Sequence, residues 1–157
     1  MSIEKVKNYL SKFGADDRIQ EFSVSSATVP QAAAALGCSA ARIAKTLSFS
    51  SPNGALLIVT AGDVKIDNRK FKDTFHVKAT MLAPSEVEAE IGHAIGGVCP
   101  FAVHQGVRIY LDMSLRRFET VFPACGSSNS AIELTIPELE RFSGSSDWVD
   151  VCKAREG

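Results

Sequence analysis

Two stretches of this sequence carry residue types suited to chemistry. The first is Gly96-Gly97-Val98-Cys99-Pro100-Phe101. Adjacent glycines let a backbone take φ > 0 and approach another group closely. Pro100 fixes its own φ and biases Cys99 toward an extended conformation. The expected product is a stiff, kinked loop whose N–H groups at Gly96, Gly97 and Val98 stay free for a carbonyl or phosphate oxygen; a tight turn between two elements would use the same residues. The second stretch is Arg42-Ile43-Ala44-Lys45-Thr46-Leu47. Lys45 is either a solvated outward residue or a half-buried one. A half-buried ammonium needs a partner, and a bound anion or carbonyl would supply it.

Other chemistry-bearing residues are fewer. His104 follows the glycine loop closely and either lines the same pocket or is a hydrogen-bonded structural residue. Cys99 reads as a small buried apolar side chain, not a nucleophile. The four cysteines and three histidines lack ligand spacing, so neither a metal nor a cofactor is expected. There is no P-loop, dinucleotide fingerprint or G-x-S-x-G elbow. The thiols are read as reduced and the setting as cytoplasmic. Met1-Ser2-Ile3-Glu4-Lys5 does not resemble a signal peptide, and no run is apolar enough for a membrane span.

A formal net charge of −1 argues against coating nucleic acid through overall charge, while leaving room for a local basic face. Residues 65–78 hold five Lys/Arg against two Asp. Lys65, Arg69, Lys70 and Lys72 are read either as a solvated helix face or as a patch for an RNA backbone.

The elements that must position these residues are short. With 157 residues and 45% hydrophobic content, residues 1–157 are expected to form one domain. Ser2 is placed as the N-cap of a first helix ended by Gly14. A strand is expected over 19–24, and a helix capped by Thr28 with Pro30 in its first turn. A short helix over 40–44 then gives way to a strand over 46–50. Pro52-Asn53-Gly54 signals a hairpin into a strand over 55–61. Asp67 caps a helix, a strand is read over 77–82, and Pro84 opens another helix. Further strands are expected over 107–111, 118–122, 131–134 and 148–151. Thr135 and Glu138 match a capping box, and the tail from Lys153 is expected to fray. Hairpin signals favour a mixed or mainly antiparallel sheet.

Taken together, Ala44-Lys45-Thr46-Leu47, the 96–101 loop, the Leu111-Asp112 strand end and Ala131-Ile132-Glu133-Leu134 with its following helix resemble the YbaK/ProX family. These are freestanding relatives of the editing domain inserted in bacterial prolyl-tRNA synthetases. The resemblance runs from the first helix to Leu139. It implies a mixed α/β (α+β) fold, with a mainly antiparallel, barrel-like sheet flanked by short helices. It also implies hydrolysis, in trans and without metal, of a mischarged aminoacyl-tRNA: a small amino acid such as Cys or Ala on tRNA-Pro, with prolyl-tRNA synthetase as a candidate partner. The family's functional lysine falls on Lys45, with Thr46 beside it, and its glycine-rich loop on Gly96 to Pro100. A family aromatic position falls on Phe22. Ala131 stands where the Cys-tRNA-Pro deacylases carry an aspartate. The segment Ser128-Asn129-Ser130-Ala131 is instead similar to one in the alanyl-specific branch, which adds Asn129 to the substrate-binding candidates.

Ester hydrolysis needs a water or an intramolecular nucleophile, and stabilisation of the developing oxyanion. The N–H groups of Gly96 to Val98 would supply the second, at roughly 2.7–4 kcal/mol for such a donor. Lys45 would hold phosphate or ribose oxygens or polarise the carbonyl. Two other readings use the same residues. One is a non-catalytic tRNA or small-ligand module that kept the fold; the other is a scaffold acting through the basic face.

Overall fold

The structure, a computed structural model, describes residues 2–155. In chain order it contains helix α1 (Ser2–Ser11), strand β1 (Gln20–Glu21), helix α2 (Val29–Leu36), strands β2 (Ile43–Phe49), β3 (Leu56–Ala61) and β4 (Val64–Ile66), and helices α3 (Asn68–Phe75) and α4 (Pro84–Ile91). Strands β5 (Arg108–Asp112), β6 (Thr120–Pro123), β7 (Ser130–Ala131) and β8 (Leu134–Thr135) come next. Helix α5 (Ile136–Ser143) and strands β9 (Asp147–Val149) and β10 (Cys152–Ala154) complete it.

The fold is mixed α/β, and its main sheet curls into a half-barrel. That sheet has six strands in the order β8-β6-β2-β3-β5-β9. Its centre is the antiparallel β2–β3 pair, from Ala44 opposite Ala61 to Phe49 opposite Leu56. The β6–β8 pair and the separate ribbons β1–β7 and β4–β10 are also antiparallel. The junctions β2–β6, β3–β5 and β5–β9 are parallel. Hairpin signals report only strands adjacent in sequence, so the parallel junctions were invisible to them. β3 is buried along its whole length, as a central strand covered on both faces must be. Leu56, Leu57, Ile58 and Val59 anchor a core shared with Val6 and Leu10 of α1, Phe71 of α3, Ile91 of α4 and Leu139 of α5.

Local chemistry explains the helix ends. Thr28 and Thr135 each accept from the third helical N–H, while Gln31 and Glu138 return the bond to the cap backbone, two complete capping boxes. The Asp67 carboxylate accepts from the Arg69 and Lys70 N–H groups.

Several boundaries differ from expectation. The strand over 19–24 shortens to two residues, because at Phe22 the chain pairs instead with Asn129, through its backbone carbonyl and its side chain. Residues 40–42 form only a 3-10 turn, with no side-chain bond from Ser39. β2 therefore starts at Ile43 and Lys45 lies inside the strand. Residues 77–82 make a single bridge, Met81 to Phe49. The strand over 131–134 splits, because β7 and β8 pair with different partners. The strand over 148–151 ends at Val149. The chain does not fray at Lys153, because β10 pairs with β4 and the Arg155 N–H donates to Asp63 O at 3.1 Å. The proposed Ser2 cap side chain and residues 156–157 lie outside the described residues. Among the described residues, no helix is long and apolar enough to cross a membrane.

Candidate active site

A cavity of about 390 Å3 opens between β2, the start of α2, the start of α4, the glycine loop and β7. Its wall includes Lys45, Thr46, Gly96 and Val98. The fold thus brings the two sequence stretches together across the cavity, although about fifty positions separate them in the chain.

The glycine loop follows α4. Gly92 ends that helix with φ 101°. A turn over Ala94–Gly97 follows, with Gly96 at φ 91° and the Gly97 N–H donating to Ala94 O at 3.0 Å. A positive φ at the third residue of a turn suits glycine. The Gly97 N–H is therefore engaged and not a free oxyanion donor as expected. Among the described residues, the Gly96 and Val98 N–H groups have no protein acceptor. Gly97 matters sterically instead. A Cβ there would sit 2.7 Å from the Gly126 carbonyl carbon and oxygen and 2.8 Å from Ser127 N, closer than any side chain tolerates. Two backbones meet at this point because Gly97 lacks a side chain.

The loop rests on a buried polar cluster. His93 is fully buried, and its Nε2 lies 2.7 Å from Phe101 O and 3.6 Å from Cys99 Sγ. A carbonyl only accepts, so Nε2 carries the proton and Nδ1 is a bare acceptor; Nδ1 is buried without a partner. Burial holds the His93 pKa below its ordinary value and pushes the Cys99 thiol up to about 12. A thiol so protonated is no nucleophile. Cys99 and Pro100, candidates for substrate contact through the loop, are buried and do not line the cavity; Cys99 is the buried apolar side chain that its type suggests. His104 is exposed and also lies off the cavity wall; its N–H extends the end of α4 by donating to Ile91 O at 2.9 Å. Nothing in the sequence singled out His93 over His104; only burial separates them.

On the opposite wall Lys45 is half-buried. Its ammonium donates to Val64 O. Burial lowers its pKa, Arg155's positive charge adds to that, and Cys152 and Asp63 act the other way. An ammonium has three protons, so two remain for a ligand. Thr46, next in the strand, also lines the cavity, but its hydroxyl is buried and has no hydrogen-bond partner. A buried, unmatched hydroxyl is costly to the fold alone.

The third wall is the 26–29 segment. The Ser26 N–H donates to Ser128 O at 2.6 Å and the Phe22 N–H to Asn129 O at 2.8 Å, while Asn129 Nδ2 donates to Phe22 O at 2.9 Å. Asn129 and Phe22 are thus off the cavity wall and tie its outer wall in place. Ala131, the position of departure noted above, does line the cavity. Asp112 serves the fold: its carboxylate accepts from Ser114 N and Val151 N, each at 2.9 Å.

The expected basic face divides. Lys70 is engaged, with Nζ 3.1 Å from Asp150 Oδ1 and 3.0 Å from Cys152 O. Lys65, Arg69 and Lys72 are exposed.

Comparison with known proteins gives a consistent picture. The family model for the aminoacyl-tRNA editing domain matches residues 24–142. An uncharacterized Bacillus subtilis (strain 168) protein, YwhH, is 54% identical over 154 residues, covering 98% of each chain. The proline–tRNA ligase of the same organism is 29% identical over 90 residues, which are 57% of this chain and 16% of that one. A solved structure described as a candidate trans-editing enzyme for prolyl tRNA synthetase superposes with a TM-score of 0.86 at 29% identity, covering 99% of this chain and 98% of the other.

Proposed function

The chain belongs to the aminoacyl-tRNA editing-domain family, and from that membership we propose that it is a trans-acting deacylase that cleaves the ester of a mischarged tRNA. The observation carrying this reading is the convergence, on the wall of one cavity, of Lys45 and the two unengaged N–H groups of Gly96 and Val98. Free donors of this kind suit an oxygen that gains negative charge during reaction.

In the mechanism, the terminal aminoacyl ester enters with its carbonyl oxygen toward Gly96 and Val98. A water attacks the carbonyl carbon, and negative charge collects on the oxygen at the two amides. The C–O bond to the ribose then breaks, and the ribose oxygen leaves with the proton given up by the attacking water. Lys45 contributes positive charge and two free N–H bonds, orienting ribose or carbonyl oxygen. The cavity size and small wall residues such as Ala44, Ala124 and Ala131 suit a small amino acid. The similarity to a proline–tRNA ligase favours tRNA-Pro as carrier and prolyl-tRNA synthetase as partner, in the cytoplasm.

Deacylation of Cys-, Ala-, Ser-, Thr- and Pro-tRNA, each on tRNA-Pro and on a cognate tRNA, tests this reading. One mischarged species should be lost selectively, and Lys45→Ala should slow that loss roughly 100-fold. Full activity in Lys45→Ala would remove the role given to Lys45. Tight binding without turnover across the panel would favour the non-catalytic module.

A further inference from the structure

The β4–β10 ribbon carries an arrangement that folding alone disfavours. Its register places Lys153 directly opposite Lys65, and both are exposed. The Arg155 N–H donates to Asp63 O and the Asp67 N–H to Val151 O. By ladder alternation, Lys65 and Lys153 form the hydrogen-bonded pair between these two, with Cα atoms about 5.5 Å apart. Like charges directly opposite destabilise a ladder.

Strand alternation sorts the side chains. Asp63, Lys65, Lys153 and Arg155 share the outward face, while Val64 and Cys152 are buried on the other. Asp63 is neutralised by Arg117, at 2.6 and 3.0 Å. Lys153's nearby carboxylate, Asp67, is already bonded to the Arg69 and Lys70 N–H groups. Among the described residues, the side chains of Lys65, Lys153 and Arg155 make no hydrogen bond or ion pair. The same alternation turns the Val64 carbonyl to the ribbon's free edge, where it receives the Lys45 ammonium. The unpaired cations therefore stand on a ribbon that touches the cavity wall.

We propose that the outward face of this ribbon binds the phosphodiester backbone of RNA, with Lys65 and Lys153 sharing a phosphate and Arg155 extending the track toward Lys45. Given the deacylase reading, on which this rests, the RNA so held is the acceptor end of the tRNA. The basic face thus shifts from α3, where Lys70 is engaged, to a ribbon that includes Lys153 and Arg155, outside the 65–78 run.

The test is binding of a non-acylated acceptor-stem hairpin RNA, followed by fluorescence anisotropy across a salt series. Lys65→Gln/Lys153→Gln should bind about 10-fold more weakly and reduce the slope of log affinity against log salt by about 1–2. Lys65→Arg/Lys153→Arg should keep both. The glutamine pair should melt no lower than the parent, because a repulsion is removed. A control pair on α3 and beyond, Lys72→Gln/Lys78→Gln, should change affinity less than about 3-fold. Unchanged affinity and slope in the ribbon variant, or equal loss in the control pair, would overturn the proposal. Hydrolysis of a 3′-O-aminoacyl adenosine, which has no phosphodiester, should match the parent in the ribbon variant. A failure of the deacylase reading would show there, in the parent itself, and not in RNA binding.

Discussion

The two walls of the cavity are built on opposite principles. On β2, Lys45 and Thr46 are fixed by backbone ladders, antiparallel to β3 and, at the adjoining Ile43 and Ala44, parallel to β6. Both residues line the cavity. On the facing wall, the Gly96–Phe101 loop is fixed by steric fit, with Gly97 against Gly126 and Cys99 beside buried His93. A ladder positions a residue whatever its side chain, so it can present chemistry. A close-packed loop positions its backbone only if certain side chains are absent, so it presents N–H groups. Substitutions should therefore separate the walls: activity should respond at Lys45 on β2 and stability in the loop.

The largest stability effect expected from this contrast is at Gly97. Gly97→Ala places a methyl against backbone that cannot rotate away, at a cost of about 1–3 kcal/mol, and its melting temperature should fall by roughly 5 °C. Gly96→Ala should cost less, about 1 kcal/mol for its positive φ, since its Cβ would meet only Ala27 and Ser128 Cβ at 3.5 Å. Equal effects at the two glycines would remove the steric account of the loop.

A pH titration of stability sharpens the same contrast. The folded His93 pKa lies below its unfolded value near 6.5, so the folded state binds fewer protons in between. Stability from keeping His93 neutral is full above pH 6.5 and is lost as pH falls through the folded value. Urea midpoints across this range should show that loss, and His93→Gln should flatten it. An unchanged slope would mean that the loop does not depend on a neutral imidazole.

Thr46→Val should show itself in stability and not in activity. Removing a buried, unmatched hydroxyl should leave stability unchanged or raise it by about 1 kcal/mol, with kcat/KM for deacylation within about 3-fold of the parent. A fall in stability would mean that the hydroxyl is matched in the folded protein, and a large fall in activity that it reaches the substrate. The smallest effect is expected at His104, where His104→Ala should leave kcat/KM within about 2-fold of the parent, because the residue is exposed and off the cavity wall.

The uneven legibility of the sequence follows the same division. The Thr28 cap, the capping box at Thr135, the Asp67 cap and the 52–54 turn are local chemistry, and each was readable from a few adjacent residues; the return bond from Gln31 that completes a box at Thr28 was not. The family resemblance named the fold and paired Lys45 with the glycine loop before either was seen to share a cavity. The engaged Gly97 N–H was not readable, because it depends on which turn closes over Ala94. Nor was the choice of His93 over His104, which differ only in burial. β10 was missed because a three-residue strand in Cys152-Lys153-Ala154 has no pattern of its own; its partner, β4, lies some ninety positions earlier. Non-local pairing also explains why the parallel junctions of the sheet went unread.

The unequal neighbours of β2 carry a kinetic meaning. Its partner β3 follows immediately through a tight turn, so this hairpin can form within about 1–10 μs. Its other partner, β6, begins at Thr120, 78 positions beyond Arg42. The parallel partner of β3 comes nearly as late, at Arg108. Loop closure of that length slows folding. During synthesis the apolar hairpin must wait with both edges unpaired, a state that invites association with other chains. The strand that bears Lys45 is thus formed early and covered late, so a substitution that delays β5 or β6 should show first as aggregation during expression, before any loss of activity in the protein that folds.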